Sequence, residues 1–357
     1  MAAKLKVGVI GLGTIGNVHI NAYQAAVADR AEFTAVCDIA QDRLDATGSK
    51  LNIPPQRRFI DYRDLLKTDI DAVLVCVWNN LHREMAVNAL KAGKCVFLEK
   101  PMAMNPKEPQ QIVATADATK KVLQIGMVYR QSPETQLVRK YAMDGTLGNI
   151  YHMRIALLRR RGIPGLGGWF TTKSRSGGGP LIDIGVHWFD ISMFMSNLWN
   201  PTSVSAATYA KFGKDMKKYN FTGMWAGPPN YKGTCDVEDY ATGFVRFGNK
   251  ATMNFDISWA ANSEEGTFIE ILGDKGGVRL FDGKPIRLLT EFNGNIADIT
   301  PQFADEDRFQ RQAKSFIAAC RGEAKPACTG KEGVVVMKLI EGVYASSEKG
   351  KEVAINV

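Results

Sequence analysis

The chain has 357 residues, 45% of them hydrophobic and 23% charged, with 34 glycines. That length exceeds one ordinary domain of ~150 residues, and the composition excludes a disordered, collagen-like or coiled-coil chain. Lys and Arg (45) exceed Asp and Glu (37), for a formal net charge of +8. Apart from Arg159-Arg160-Arg161, Arg57-Arg58 and Lys217-Lys218, however, the basic residues are interleaved with acids, which predicts a solvated surface and no nucleic-acid partner.

No apolar run approaches ~18 residues, so no membrane span is expected. The opening Met1-Ala2-Ala3-Lys4-Leu5-Lys6 lacks the apolar stretch of a signal peptide, and a cytoplasmic location is the expectation. Cys37, Cys76, Cys95, Cys235, Cys320 and Cys328 form no C-x-x-C pair. They read as reduced thiols, with neither disulfide nor zinc.

In chain order the pattern opens with a strand over Leu5 to Ile10, a glycine turn over Gly11 to Gly16 and a helix over Asn17 to Ala28. A strand (Phe33 to Asp38), a helix (Gln41 to Lys50), a short strand (Arg58-Phe59), a helix (Tyr62 to Lys67) and an apolar strand (Ala72 to Val77) follow. Then come a helix from His82 to Ala92, a strand from Lys94 to Leu98, a helix from Pro106 to Lys120 and a strand from Val122 to Gly126. This alternation predicts an α/β domain over 1–126 with a parallel sheet of about six strands and right-handed crossovers. Residues 127–357 read as an α+β domain. A helix over Pro133 to Asp144 precedes β-like runs at 149–159, 203–212, 239–248, 250–259, 267–273 and 276–281, which predict a large, mainly antiparallel open sheet. The Gly/Pro/Lys-rich stretch 213–234 reads as a long surface loop or lid carrying Trp225 and Tyr231. Helices within 305–349 close the chain.

Gly11-Leu12-Gly13-Thr14-Ile15-Gly16 matches G-x-G-x-x-G directly after a strand and at the start of a helix, the context in which this motif holds a dinucleotide pyrophosphate. About 20 residues on, Asp38 ends the second strand, where a carboxylate accepts from a ribose diol and repels a 2′-phosphate, so NAD is expected over NADP. This is a Rossmann-type dinucleotide-binding domain.

Glu99-Lys100-Pro101 follows a strand and therefore sits at a carboxyl end of the sheet, where ligands bind in open α/β folds; a surface ion pair is the alternative. Proline at 101 holds Lys100 extended and admits a cis peptide. In Gly177-Gly178-Gly179-Pro180-Leu181-Ile182-Asp183-Ile184-Gly185-Val186-His187-Trp188-Phe189-Asp190, a helix from Leu181 puts Asp183 and His187 on one face, with Asp190 a turn further. Such a pair suits acid/base work or a plain helix contact. Trp169 can stack on a nicotinamide or sugar ring or anchor its loop. Arg159 and Arg161 can bind hydroxyls or a carboxylate, or be strand-end surface charge. His19, His82 and His152 read as structural.

Together with Val77-Trp78-Asn79-Asn80-Leu81-His82 and Gly126-Met127-Val128-Tyr129-Arg130, these motifs resemble the glucose-fructose oxidoreductase, inositol dehydrogenase and rhizopine catabolism (Gfo/Idh/MocA) family over nearly the whole chain. Trp78-Asn79 departs from the usual Thr-Pro of the family's cofactor loop. The resemblance implies NAD-dependent oxidation of a secondary hydroxyl of a sugar, a glycoside (at C3) or a cyclic polyol, with no metal. It implies Lys100, Asp183 and His187 as the catalytic group and a cis Lys100-Pro101 bond. Cofactor contacts are implied at Gly11, Gly13, Thr14, Ile15, Gly16, Asp38 and Arg43, and at Trp78, Asn79, His82, Glu99, Lys100 and Trp169. Substrate contacts are implied at Lys100, Tyr129, Arg161, Asp183 and His187. A homo-oligomer, dimer or tetramer, is also implied. The alternatives are a redox-neutral NAD-dependent glycoside hydrolase or lyase of the same family, and a non-catalytic sugar and dinucleotide sensor.

Overall fold

The computed structural model describes residues 3–105, 107–221, 223–304 and 306–357. The expected first residues of two helical segments, Pro106 and Asp305, lie outside the described residues. The chain divides into two compact units, one formed by residues 3–131 with 306–333, the other by 132–304 with 334–357.

The first unit alternates strand and helix throughout: β1 (Leu5–Ile10), α1 (Thr14–Ala26), β2 (Ala31–Cys37), α2 (Gln41–Lys50), β3 (Arg58–Phe59), α3 (Tyr62–Leu66), β4 (Ala72–Val75), α4 (His82–Lys91), β5 (Cys95–Leu98), α5 (Lys107–Thr119) and β6 (Leu123–Ile125). All six strands are parallel in the order β3-β2-β1-β4-β5-β6. Ala72, Val73, Leu74 and Val75 are each completely buried, as a parallel strand covered on both faces requires. The order reverses between β1 and β4, which opens a crevice at their carboxyl ends, where such sheets take ligands.

In the second unit, α6 (Pro133–Met143), β7 (Ile150–Leu158), α7 (Lys173–Ser176), a π-helical turn (Leu181–Gly185) and α8 (Val186–Ser196) lead into β8 (Pro201–Tyr209), β9 (Tyr240–Phe247), β10 (Thr252–Ser258), β11 (Gly266–Gly273), β12 (Gly276–Leu280), β13 (Arg287–Phe292) and β14 (Asn295–Ile299). After α9 (Arg308–Cys320) and α10 (Gly330–Lys349), the strand β15 (Val353–Ala354) completes a nine-stranded sheet ordered β14-β13-β12-β11-β7-β10-β9-β8-β15. Among the described residues, only the β7–β10 pairing of this sheet is parallel. Every residue of α8 is buried, and Phe189 meets Phe255 of β10 edge to face at 5.0 Å, so α8 is the core element under the sheet.

Three findings depart from the sequence reading. The expectation that everything after residue 126 forms one domain fails for α9: Ala313, Phe316 and Ile317, one apolar stripe at helical spacing, lie in the same core cluster as Val7, Val9 and Leu74. Phe316 also meets Phe97 of β5 at 5.6 Å, so α9 belongs with the first unit. The strands β13, β14 and β15 were not expected. The β13–β14 turn is Asn293-Gly294, both at positive φ, which is the strongest short hairpin signal, and it joins two strands whose residues are mostly exposed. Finally, 213–234 carries, among its described residues, one short 3-10 helix, Met216–Lys218, and several turns but no strand, and it is laid against 163–172: Asn230 N–H donates to Leu166 O (2.8 Å) and Thr171 Oγ1 to Thr234 O (2.8 Å). Among the described residues no helix is long and apolar enough to cross a membrane, and no disulfide joins the cysteines.

Candidate active site

At the end of β1 the chain must turn sharply beside β4. Gly11 has φ +93°, and a β-carbon there would lie 2.2 Å from Cys76 O. A β-carbon on Gly16 would lie 2.1 Å from Gly11 O, so only glycine lets α1 start this close to its own strand. Gly13 precedes α1 without a side-chain cap, and no acidic residue occupies the first turn. The N–H groups of Thr14 and Ile15 therefore open a helix whose positive end carries no carboxylate of its own. The nearest group to a β-carbon placed on Gly13 is Arg43 Nη1, at 4.0 Å, which brings a cation to an otherwise open position.

Asp38 is held by the backbone of two turns: its Oδ2 accepts from Leu12 N–H at 2.7 Å and its Oδ1 from Ala40 N–H at 2.9 Å. It remains 8% exposed, while the next residue, Ile39, is 78% exposed. Open glycine backbone, an uncapped helix start, an adjacent guanidinium and a fixed carboxylate fit the pyrophosphate and ribose diol of a dinucleotide. Ile39 was absent from the sequence reading; an isoleucine left in solvent beside Asp38 offers an apolar surface to an adenine ring.

At the end of β5 the Lys100-Pro101 peptide is cis. Glu99 points inward: its Oε1 lies 2.6 Å from Nε2 of the completely buried His19, and its Oε2 accepts Lys100 N–H at 3.1 Å. Glu99 and His19 thus brace the backbone that carries Lys100, and His19 has a specific partner where only packing was expected. His82 is also completely buried, with Nδ1 2.7 Å from Pro101 O and Nε2 3.1 Å from Val77 O. Burial pushes its pKa down. It joins the Val77 and Pro101 loops as a brace. In the loop it supports, Trp78 is 40% exposed and Asn79 is buried. Tyr129 lies under Arg308, whose guanidinium carbon is 4.2 Å from the ring centroid. Arg308 sits on α9, about 180 residues away in sequence, and no local signal pointed to it.

In the second unit, Asp183 lies in the π-helical turn and His187 in the first turn of α8, each 8% exposed. The wider π turn keeps positions four apart close to one line, so the expected shared face survives although the helix is not regular there. Trp259 Nε1–H donates to Asp183 Oδ2 at 3.3 Å, and Asp190 is completely buried. The Trp169 ring lies tilted against Phe170, centroids 3.7 Å apart, and Phe170 meets Trp225 at 5.1 Å, so Trp169 is held in an aromatic cluster that includes the 213–234 loop. Arg161 is spent on its surroundings: Nη1 donates to Arg160 O (2.6 Å) and Ala261 O (3.2 Å), Nη2 to Asn262 Oδ1 (2.7 Å), and its guanidinium lies over Phe212. These bonds hold the Arg161 guanidinium against the strand end.

A glycine fingerprint at the switch point of a parallel sheet, followed by a mainly antiparallel sheet that carries an Asp/His pair, defines a two-domain dinucleotide-binding oxidoreductase. Residues 5–127 match the oxidoreductase family with NAD-binding Rossmann fold, and residues 135–279 match the GFO/IDH/MocA C-terminal domain. The chain is 32% identical to a D-glucoside 3-dehydrogenase of Escherichia coli (strain K12), covering 99% of this chain and 98% of that one. It is 26% identical to a myo-inositol 2-dehydrogenase of Thermotoga maritima, over 98% of both. The fold matches an oxidoreductase domain protein from Kribbella flavida (TM-score 0.87, 24% identity, 100% of both chains) and a levoglucosan dehydrogenase in complex with NADH and levoglucosan (TM-score 0.86, 21% identity, 99% and 100%). The chain belongs to the Gfo/Idh/MocA family of oxidoreductases, and its first unit is an NAD-binding Rossmann domain.

Proposed function

We propose that the protein oxidises a secondary hydroxyl of a glycoside, at C3 of the pyranose, with NAD as the acceptor. The observation that carries this reading is the 32% identity with a D-glucoside 3-dehydrogenase along essentially the whole chain. Lys100, Asp183 and His187, retained in this sequence, support it.

When bound, NAD would supply a hydride acceptor; Gly11, Gly13, Thr14, Ile15, Gly16, Asp38 and Arg43 would hold it, together with Ile39 and the Trp78-Asn79 loop. The chain's own residues move the proton and steady the oxygen. Neutral His187 takes the hydroxyl proton, for which an imidazole is suited because it ordinarily titrates near neutrality. The Lys100 ammonium donates to the same oxygen and stabilises negative charge developing there as the C–H electron pair departs and the C=O bond forms. Asp183, steadied by Trp259, orients the imidazole or a neighbouring substrate hydroxyl. Tyr129 would contact the substrate, as the family resemblance implies, and Glu99, His19 and His82 keep the Lys100 loop in place.

We also propose a homo-oligomer formed through the nine-stranded sheet, on which Tyr209, Leu289, Phe292 and Ile296 are exposed. A sedimentation profile of a monomer at micromolar concentration would defeat it. Unbridged thiols suit a reducing compartment, the cytoplasm, which imaging of a tagged chain checks.

The test of the activity is to follow absorbance of reduced nicotinamide and product mass together, with NAD and a panel of glycosides, free aldoses and inositols. NADH growth with a keto-glycoside product supports the reading, and growth on inositols alone moves the substrate to cyclic polyols. Glycoside cleavage without NADH points to redox-neutral hydrolysis or elimination.

A further inference from the structure

Of the glycines before the Asp183 turn, Gly179 packs against the buried acid Glu238 and Gly178 against Tyr344. A β-carbon on Gly179 would lie 2.0 Å from Glu238 O, and one on Gly178 would lie 2.0 Å from the Tyr344 hydroxyl oxygen. Glu238 is 9% exposed and spends both carboxylate oxygens on this corner. Its Oε2 accepts from Gly179 N–H at 2.9 Å, and its Oε1 from Leu181 N–H at 3.2 Å and Tyr344 O–H at 2.9 Å. These are backbone groups at the start of the π-helical turn, which Val186 N–H closes onto Leu181 O. The chain around Glu238 also reaches the other side of the turn. Trp259 N–H donates to Asp239 O at 2.9 Å, and the Trp259 indole N–H reaches Asp183 Oδ2. Asp239 is itself fixed, its Oδ2 accepting from Lys211, Phe212 and Gly213 N–H. The Asp183 turn is therefore gripped from two sides by residues 238–239 and their neighbour Trp259.

We propose that Glu238, seated by Tyr344, is a positioning residue for the reaction: by capping Gly179 and Leu181 it sets the height and rotation of the turn that presents Asp183 and His187. A buried carboxylate costs desolvation, and a helix start in this chain need not carry one, since α1 has no side-chain cap. A cap of this kind is explained by the need to hold Asp183 and His187 within a fraction of an ångström. The proposal rests on the reading of Asp183 and His187 as the acid/base pair.

The test uses the full chain with the glycoside that the wild type turns over, and counts native sites by NADH binding. In Glu238→Gln the side-chain oxygen still accepts from Leu181 and Tyr344, but the amide NH₂ faces Gly179 N–H, donor against donor. Turnover per NADH-binding site is expected to fall about 30-fold, with KM within about threefold and NADH affinity within about twofold of wild type. Tyr344→Phe, which removes a single donor, is expected to lose about threefold in kcat by the same logic. Wild-type kcat per NADH-binding site in Glu238→Gln, or a loss of activity wholly matched by a loss of binding sites, overturns the proposal. Should Glu238→Gln fail to fold, Tyr344→Phe decides on the same ratio, an unchanged kcat being the contrary result. His187→Ala run alongside separates the two levels: retained turnover there removes the catalytic reading itself, whereas loss there with full activity in Glu238→Gln removes only the positioning role.

Discussion

The turn at Gly11–Gly16 and the turn at Gly177–Gly185 each point a helix start at a functional position, and they are held in place differently. The first is made almost wholly of backbone: glycine lets strand, turn and α1 close to near contact distance, the helix start is left uncapped, and the one supporting carboxylate, Asp38, comes from the adjacent strand. The second is filled by side chains: Glu238 caps it, Tyr344 seats Glu238 and Trp259 reaches Asp183. An uncapped helix start leaves its N–H groups to a ligand that brings its own negative charge. A capped one gives those groups up in return for fixing the side chains that follow. The difference matches the two tasks proposed for them, binding phosphates and presenting an acid/base pair.

If that contrast is right, substitutions at the two turns fail in different ways. The largest effect is expected at the proposed catalytic groups: His187→Ala, at the second turn, and Lys100→Ala, in the loop after β5, each lower kcat by on the order of 10³-fold, with NADH affinity in His187→Ala near wild type by fluorescence titration. Next, Gly16→Ala, which forces a β-carbon to within 2.1 Å of Gly11 O, is expected to weaken NADH binding by on the order of 100-fold in calorimetry. Asp38→Ala comes third, with NAD affinity about 10-fold weaker and the preference over NADP reduced, read as the ratio of the two dissociation constants. His19→Ala leaves Glu99 buried without its imidazole; kcat is expected to drop about 10-fold with KM nearly unchanged, and His19→Gln to restore part of it.

The smallest effect concerns pH. Burial raises the Glu238 pKa above the ordinary glutamate value, so its folded form favours the proton more than its unfolded form does. The associated stability is complete below the unfolded pKa and is lost as pH rises through the raised folded pKa. Measured against Glu238→Gln, which does not titrate, wild-type Tm should therefore be relatively higher at pH 4 than at pH 8, by on the order of 1–3 °C. A relative Tm that rises with pH would reverse the assignment.

The same contrast explains what the sequence made legible. Gly11, Gly13, Gly16 and Asp38 stand at fixed spacing because a backbone-made site needs particular residues at adjacent positions, and β1 to β6 follow from apolar runs that must be buried on both faces. Asp183 and His187 were visible for the same reason, four apart on one helix. Their supports were not. Glu238 and Tyr344 lie tens of residues away, in segments whose local pattern reads only as strand lead-in and helix. Arg308 and the α9 stripe reach the first unit by chain return, which no local window shows. His19 was visible as a histidine but not as the partner of Glu99. Arg161, prominent in a basic run, is tied down by Ala261 and Asn262 on a neighbouring segment some 100 residues on.

The most direct test of the central claim, hydride transfer from a glycoside carbon to NAD, is to supply a glycoside deuterated at C3 with NAD and analyse the reduced cofactor. The account predicts one deuterium at nicotinamide C4 for every 3-keto product, with a primary isotope effect on the chemical step. Product formed with the label kept in the sugar or lost to water, and no reduced cofactor accumulating, would contradict it.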